Sequence, residues 1–191
     1  MGIQPDTVPR FVAFLRAINV GGHTVKMEHL RGLFEALGFL HVETFIASGN
    51  VIFESPITNI RSLEQEIESH LQRSLGYSVT TFIRSTAELA TIANYKPFTP
   101  AELDTEGNSL YIAFLSDLPA AEAQQKLIAF RTDIDDFHFH GRELYWLCRK
   151  KMSDSLFSGA LLEKTIGLPA TIRNSTTVKK LAAKYPVSFT L

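Results

Sequence analysis

Apolar positions along the 191-residue chain fall into short blocks whose spacing switches repeatedly between that of strands and that of helices. The run Phe11-Val12-Ala13-Phe14-Leu15 is apolar without interruption, which predicts a central strand covered on both faces. After Ile18-Asn19-Val20-Gly21-Gly22, the residues Met27, Leu30, Phe34 and Leu37 recur at helical spacing. They predict a helix over 25–37, with Gly38 as its left-handed stop. Segments 42–47 and 51–54 flank Ser48-Gly49-Asn50 and predict a hairpin. Leu63, Ile67, Leu71 and Leu75 then form one stripe, so a helix is expected over 60–75. Ser62 to Gln65 reads as its capping box and Gly76 as its end. A strand over 79–84 completes the order βαββαβ, the ferredoxin-like motif.

The second half follows the same order. Ser85-Thr86-Ala87-Glu88 is a capping box opening a short helix to about residue 93. Tyr95 to Asn108, with Pro97, Pro100 and a polar end, reads as a linker. Tyr111-Ile112-Ala113-Phe114-Leu115 then repeats the first strand, with Ala-Phe-Leu identical in both. A helix over 119–130 follows, then a hairpin of 134–139 and 143–148 about His140-Gly141. A helix over 153–166 closed by Gly167, an extended stretch 169–173 and a last helix 175–184 complete the pattern. The expected fold is α+β: two tandem ferredoxin-like lobes with antiparallel sheets and a C-terminal helix. The expected division is a first lobe over 1–94, a linker over 95–108 and a second lobe over 109–191.

Composition narrows the function classes. At 45% hydrophobic and 20% charged the chain is too apolar for disorder. Lys+Arg 19 against Asp+Glu 20 leaves a net charge of −1, which disfavours a generic coat for polyanions. The single Cys148 excludes an internal disulfide framework and a cysteine zinc cluster, and fits a reducing compartment. No apolar run approaches the roughly 18 residues of a membrane helix, and the start MGIQPDTVPR lacks a secretory pattern. A cytoplasmic protein without a membrane span is therefore expected.

Most chemistry finds no support. There is no Gly-x-Ser-x-Gly elbow, phosphate-binding P-loop or dinucleotide fingerprint, and whether the chain is an enzyme stays open. Cys148 lies among Leu144-Tyr145-Trp146-Leu147 and reads as a small buried hydrophobe. His138 and His140 share a strand face as metal ligands do, but no third ligand is evident, so neither a metal nor a cofactor is expected. Phe14, Phe53, Tyr145 and Trp146 with Arg149-Lys150-Lys151 raise an RNA-binding sheet as the alternative. The absence of a polar face on the first strand disfavours it.

The remaining segments carry a resemblance. Leu15-Arg16-Ala17-Ile18-Asn19-Val20-Gly21-Gly22, Val25-Lys26-Met27 and Ser48-Gly49-Asn50-Val51-Ile52-Phe53 resemble a bacterial family known as domain-of-unknown-function family 1697. Ala170-Thr171-Ile172-Arg173-Asn174, followed by Thr177-Val178, is similar to its closing segment, with Ser175 where an aromatic is usual. The resemblance implies a two-lobed α+β fold and no particular reaction. Topology adds a site. With strand three antiparallel between parallel strands one and two, the end of strand one, the first helix start and the hairpin turn share one sheet end. Arg16, Asn19, Gly21, Gly22, Lys26, Ser48, Gly49 and Asn50 should converge there, with Arg173 and Asn174 as secondary candidates. Free N–H groups at a helix start, a close-approach glycine pair and two cations suit a small anionic ligand, phosphate- or nucleotide-like.

Overall fold

β1, Arg10–Leu15, is an interior strand buried on both faces, as its uninterrupted apolar run requires. In the computed structural model, which describes residues 8–186 apart from 20, 47 and 48, β1 pairs antiparallel with β3, Asn50–Glu54, and with β4, Thr81–Ser85. β2, Leu40–Thr44, lies beyond β3, giving the order β2-β3-β1-β4. Phe11, Ala13 and Leu15 project from one face with Val51, Phe53 and Ile83. Against them lie Leu30 and Phe34 of α1, Met27–Glu35, and Leu63, Ile67 and Leu71 of α2, Ile60–Leu75. Each such side chain contributes roughly 1.5–3 kcal/mol by leaving water.

α2 occupies the span its periodicity predicts, and Gly76 ends it at φ +82°. Its cap differs from the expectation: the Asn59 side chain accepts from the Ser62 N–H, so the residue before the helix, not Ser62, closes its start. α1 is shorter than 25–37, because the Val25 N–H donates to Asn19 Oδ1 at 2.6 Å and Lys26 stays extended at ψ 139°. On β4, alternate backbone N–H groups turn away from β1. Those of Thr81 and Ile83 donate to Glu68 Oε1 and Glu64 Oε1 of α2, and that of Ser85 to Glu88 Oε2.

A second four-stranded antiparallel sheet has the order β6-β7-β5-β8. Its strands are β5, Ser109–Leu115; β6, Asp135–His140; β7, Glu143–Cys148; and β8, Ala170–Asn174. α3, Thr86–Asn94, opens on the predicted Ser85–Glu88 capping box. The stretch expected as a linker contains a further helix, α4, Pro100–Asp104, capped by Thr99 and Glu102. α5, Ala121–Ile128, α6, Gly159–Ile166, and α7, Ser175–Lys184, complete the unit. The helix expected over 153–166 begins only at Gly159. Ser155 bonds instead to Asp135 and to the Phe157 N–H, and Ser158 caps the true start. The Ala170 N–H on the outer edge of β8 donates to Glu163 Oε1 of α6.

The chain divides into two compact units, Met1–Glu88 and Leu89–Leu191, at a point inside α3. Both are α+β and their strands run in the same order. One correspondence was not visible in the first-strand match: β4 reads Thr-Phe-Ile-Arg-Ser and β8 reads Ala-Thr-Ile-Arg-Asn, each leading directly into a helix. Arg84 lies opposite Val12, and Arg173 opposite Ile112, which are matching positions of the repeated strand. No helix among the described residues is long and apolar enough to cross a membrane.

Candidate functional site

The segment from Arg16 to Lys26 leaves β1 and delivers the chain to α1, held at four points. The Leu15 N–H donates to the Gly49 carbonyl and the Arg16 N–H to the Thr80 carbonyl, both at 2.8 Å. Asn19 Oδ1 clamps Val25, and the Tyr77 hydroxyl donates to the Ile18 carbonyl at 3.0 Å. Between these anchors the backbone is left-handed at Ala17, Gly21 and Gly22, with φ of +58°, +69° and +88°. Ile18 points inward and is buried, whereas Arg16, Gly21, Gly22 and Lys26 are exposed.

Arg16 begins the loop and Lys26 ends it, at the cap position of α1, where no side chain caps the helix. The free first-turn N–H groups and their dipole favour an anion by about 0.3–1 kcal/mol. Glu28 in the same turn already meets part of that field, so the cations carry most of any affinity, at roughly 1.5–3 kcal/mol per charged hydrogen bond. Asn19 braces the loop through its carbonyl oxygen.

Gly49 and Asn50 do reach this end of the sheet, but as its framework. A Cβ on Gly49, at φ +72°, would stand 2.6 Å from Ile18 Cγ2. Asn50 is wholly buried, and its Nδ2 donates to the Phe45 carbonyl at 3.0 Å, locking the hairpin it begins. As the first residue of β3, opposite Phe14, it faces inward and not toward the loop surface. Ser48 lies outside the described residues, as does Val20. Tyr77 was not singled out by the sequence; besides holding Ile18 it stacks on His23 with ring centres 3.8 Å apart, and burial pushes its phenol up. The only signal for it was an aromatic just past a helix-ending glycine.

Arg173 and Asn174 belong to the other unit and have local duties. Arg173 is 8% exposed, donates to Thr171 Oγ1 and the Ile172 carbonyl, and has its pKa pushed down to about 10 by burial. Asn174 Oδ1 accepts from the Thr176 N–H and caps α7. His138 and His140 both engage Tyr95: His138 Nε2 lies 2.7 Å from its hydroxyl, and the His140 ring stacks on it. Among the described residues, no group of three or more His, Cys, Asp or Glu is arranged to hold a metal. Phe53 and Trp146 lie inside the apolar cores of their units.

Cys148 is fully buried, its Sγ donating to the Lys150 carbonyl at 3.3 Å, and burial pushes the thiol up. The reactive thiolate is thus scarce at neutral pH and shielded as well. Alkylation by iodoacetamide at pH 7 should be slow in the native protein and fast after unfolding in urea. Rapid labelling of the folded chain would return this residue to the list of nucleophiles.

A family model described as protein of unknown function (DUF1697) matches residues 8–145. No curated protein matches the chain. Among solved structures, the conserved bacterial protein SP0830 from Streptococcus pneumoniae is similar, with a TM-score of 0.74 at 20% sequence identity. That similarity covers 93% of this chain and 98% of the other. At such identity it speaks to the fold alone.

Proposed function

The chain belongs to the DUF1697 family of unknown function, and from that premise we propose that it binds a small anionic ligand, phosphate- or nucleotide-like, at the loop joining β1 to α1. The observation that carries this reading is the loop itself: a braced, left-handed backbone exposing Arg16 and Lys26 beside a helix start that no side chain caps. The bonds of Asn19 and Tyr77 hold the loop's shape, while Arg16, Lys26 and the start of α1 lie on its exposed side, where cations and first-turn N–H groups suit an anion. We infer further that each unit is a ferredoxin-like lobe, since each has the order of strands and helices that this motif requires, and that the protein works in the cytoplasm, where a lone buried cysteine is at home.

Calorimetric titration with inorganic pyrophosphate and with AMP at low salt tests the reading. Arg16→Ala should weaken binding by about tenfold or more, the worth of one charged hydrogen bond, and Lys26→Ala by somewhat less. Gly22→Ala should cost stability as well as affinity, because φ is +88° there. Wild-type protein that fails to bind either anion at millimolar concentration would sink the idea. Tight binding of single-stranded RNA with a steep salt dependence would favour the RNA-module alternative instead.

A further inference from the structure

Unit two contains a cavity of about 670 Å³ bounded by α3 and the residues after it, β5, β7 and α7. This is within the usual range for small-molecule sites. Its walls are mostly apolar: Ile92 comes from α3, Leu103 from α4, and Leu110 and Ile112 from β5. The room exists because α7 turns short side chains toward it. Ser175, Lys179, Ala182 and Ala183 fall at helical spacing on one face, and three of the four are small.

Charge at this cavity has one sign. Lys96 and Lys179 both line it and both are exposed, so their flexible side chains can bring an ammonium group to its mouth. No aspartate or glutamate lines it, and neither lysine has an ion-pair partner among the described residues. Elsewhere in the unit, Arg149 is matched by Glu102 and Asp136, and Lys126 by Glu122. An apolar chamber with two cations at its opening complements an amphiphile whose head is a compact anion. A polyphosphate would need more donors than two ammonium groups and would leave the apolar walls unused.

We propose that this cavity binds a small amphiphilic carboxylate, its apolar body of about ten carbons lying against Ile92, Ile112 and Ala183 and its carboxylate held by Lys96 and Lys179. The site is separate in sequence and in chemistry from the loop of unit one, and it stands whether or not that loop binds anions.

Calorimetric titration with decanoate below its micelle concentration provides the test, with decanol and decyltrimethylammonium as neutral and cationic counterparts. Decanoate should saturate a single site, bind more tightly than hexanoate, and exceed both counterparts by about tenfold or more. The pair Lys96→Gln with Lys179→Gln, both on the surface, should remove most of that preference without lowering the unfolding temperature. Ala183→Leu should narrow the cavity from its exposed side and weaken binding. Arg16→Ala should leave decanoate affinity unchanged. No saturable binding, equal affinity for decanol, or undiminished binding in the lysine pair or in a folded Ala183→Leu protein would each overturn the proposal. So would loss of decanoate affinity in Arg16→Ala.

Discussion

Gly49→Ala is expected to lower the unfolding free energy by about 2–5 kcal/mol, with the loss read as a fall in the urea midpoint. Two costs combine. A side chain at φ +72° sits in the left-handed region, a penalty of roughly 1–2 kcal/mol. The new methyl would also meet Ile18 Cγ2 at 2.6 Å and Leu15 Cβ at 3.2 Å, inside a packed region where overfilling costs about 1–3 kcal/mol. Gly21→Ala and Gly22→Ala separate the two effects. Both glycines are left-handed, but an added Cβ meets nothing within 4 Å at either, so only the backbone term remains. Equal losses at all three positions would mean that Ile18 and Leu15 yield freely, and the hairpin turn would not be the rigid floor beneath the loop.

Asp135→Ala should cost about 3–5 kcal/mol, because one buried carboxylate accepts from a buried indole N–H and from the hydroxyl that shapes the neighbouring segment. Asp135 Oδ1 accepts from the Trp146 Nε1–H at 2.7 Å, and Oδ2 from the Ser155 hydroxyl at 2.8 Å. Ser155 in turn accepts from the Phe157 N–H, and the Phe157 ring lies edge-on to Trp146, 5.0 Å between centres. Removing the carboxylate strands the indole N–H of Trp146, a residue only 1% exposed, and loosens the segment that seats Phe157. Trp146→Phe keeps most of the ring packing and deletes the donor. A double-mutant cycle between the two positions should give a coupling of about 1.5–3 kcal/mol. A coupling near zero would assign the loss to packing alone.

What the sequence made legible follows from how local each signal is. α2 was readable because its apolar residues recur at helical spacing within a span that ends on its own marker, Gly76, and α7 fills the span expected for a last helix before Pro186. β1 was readable from its uninterrupted apolar run, and the second hairpin from its glycine, although its turn falls at Gly141-Arg142 and His140 belongs to β6. Segment 153–158 was not: Ser155 and Phe157 are drawn out of a helix by Asp135, Trp146 and Phe137, which lie on other strands. β2 lies earlier than expected, at Leu40–Thr44, since a shift of register between Leu40 and Glu43 moves its pairing with β3. The site shows the same division. Topology brought Gly49 to the loop after β1, and the loop does pack on it. Asn50 is buried just as Val51 beside it is, although the two point to opposite faces, so its burial comes from cover on both faces of β3, which no local signal reveals.

The glutamates on the rims of the two sheets bear on how this chain meets other proteins. An outer strand with unpaired N–H and C=O groups is a template on which another chain can crystallise. Here Glu64, Glu68 and Glu88 occupy the outward donors of β4, and Glu163 occupies one on β8. On β6, Asp136 takes the Phe137 N–H while Arg131 takes its carbonyl. β2 breaks its own regularity with a bulge and a left-handed His41. Among the described residues each rim carries a feature of this kind, so an extended peptide or a neighbouring copy gains less by lying alongside than it would on a bare edge.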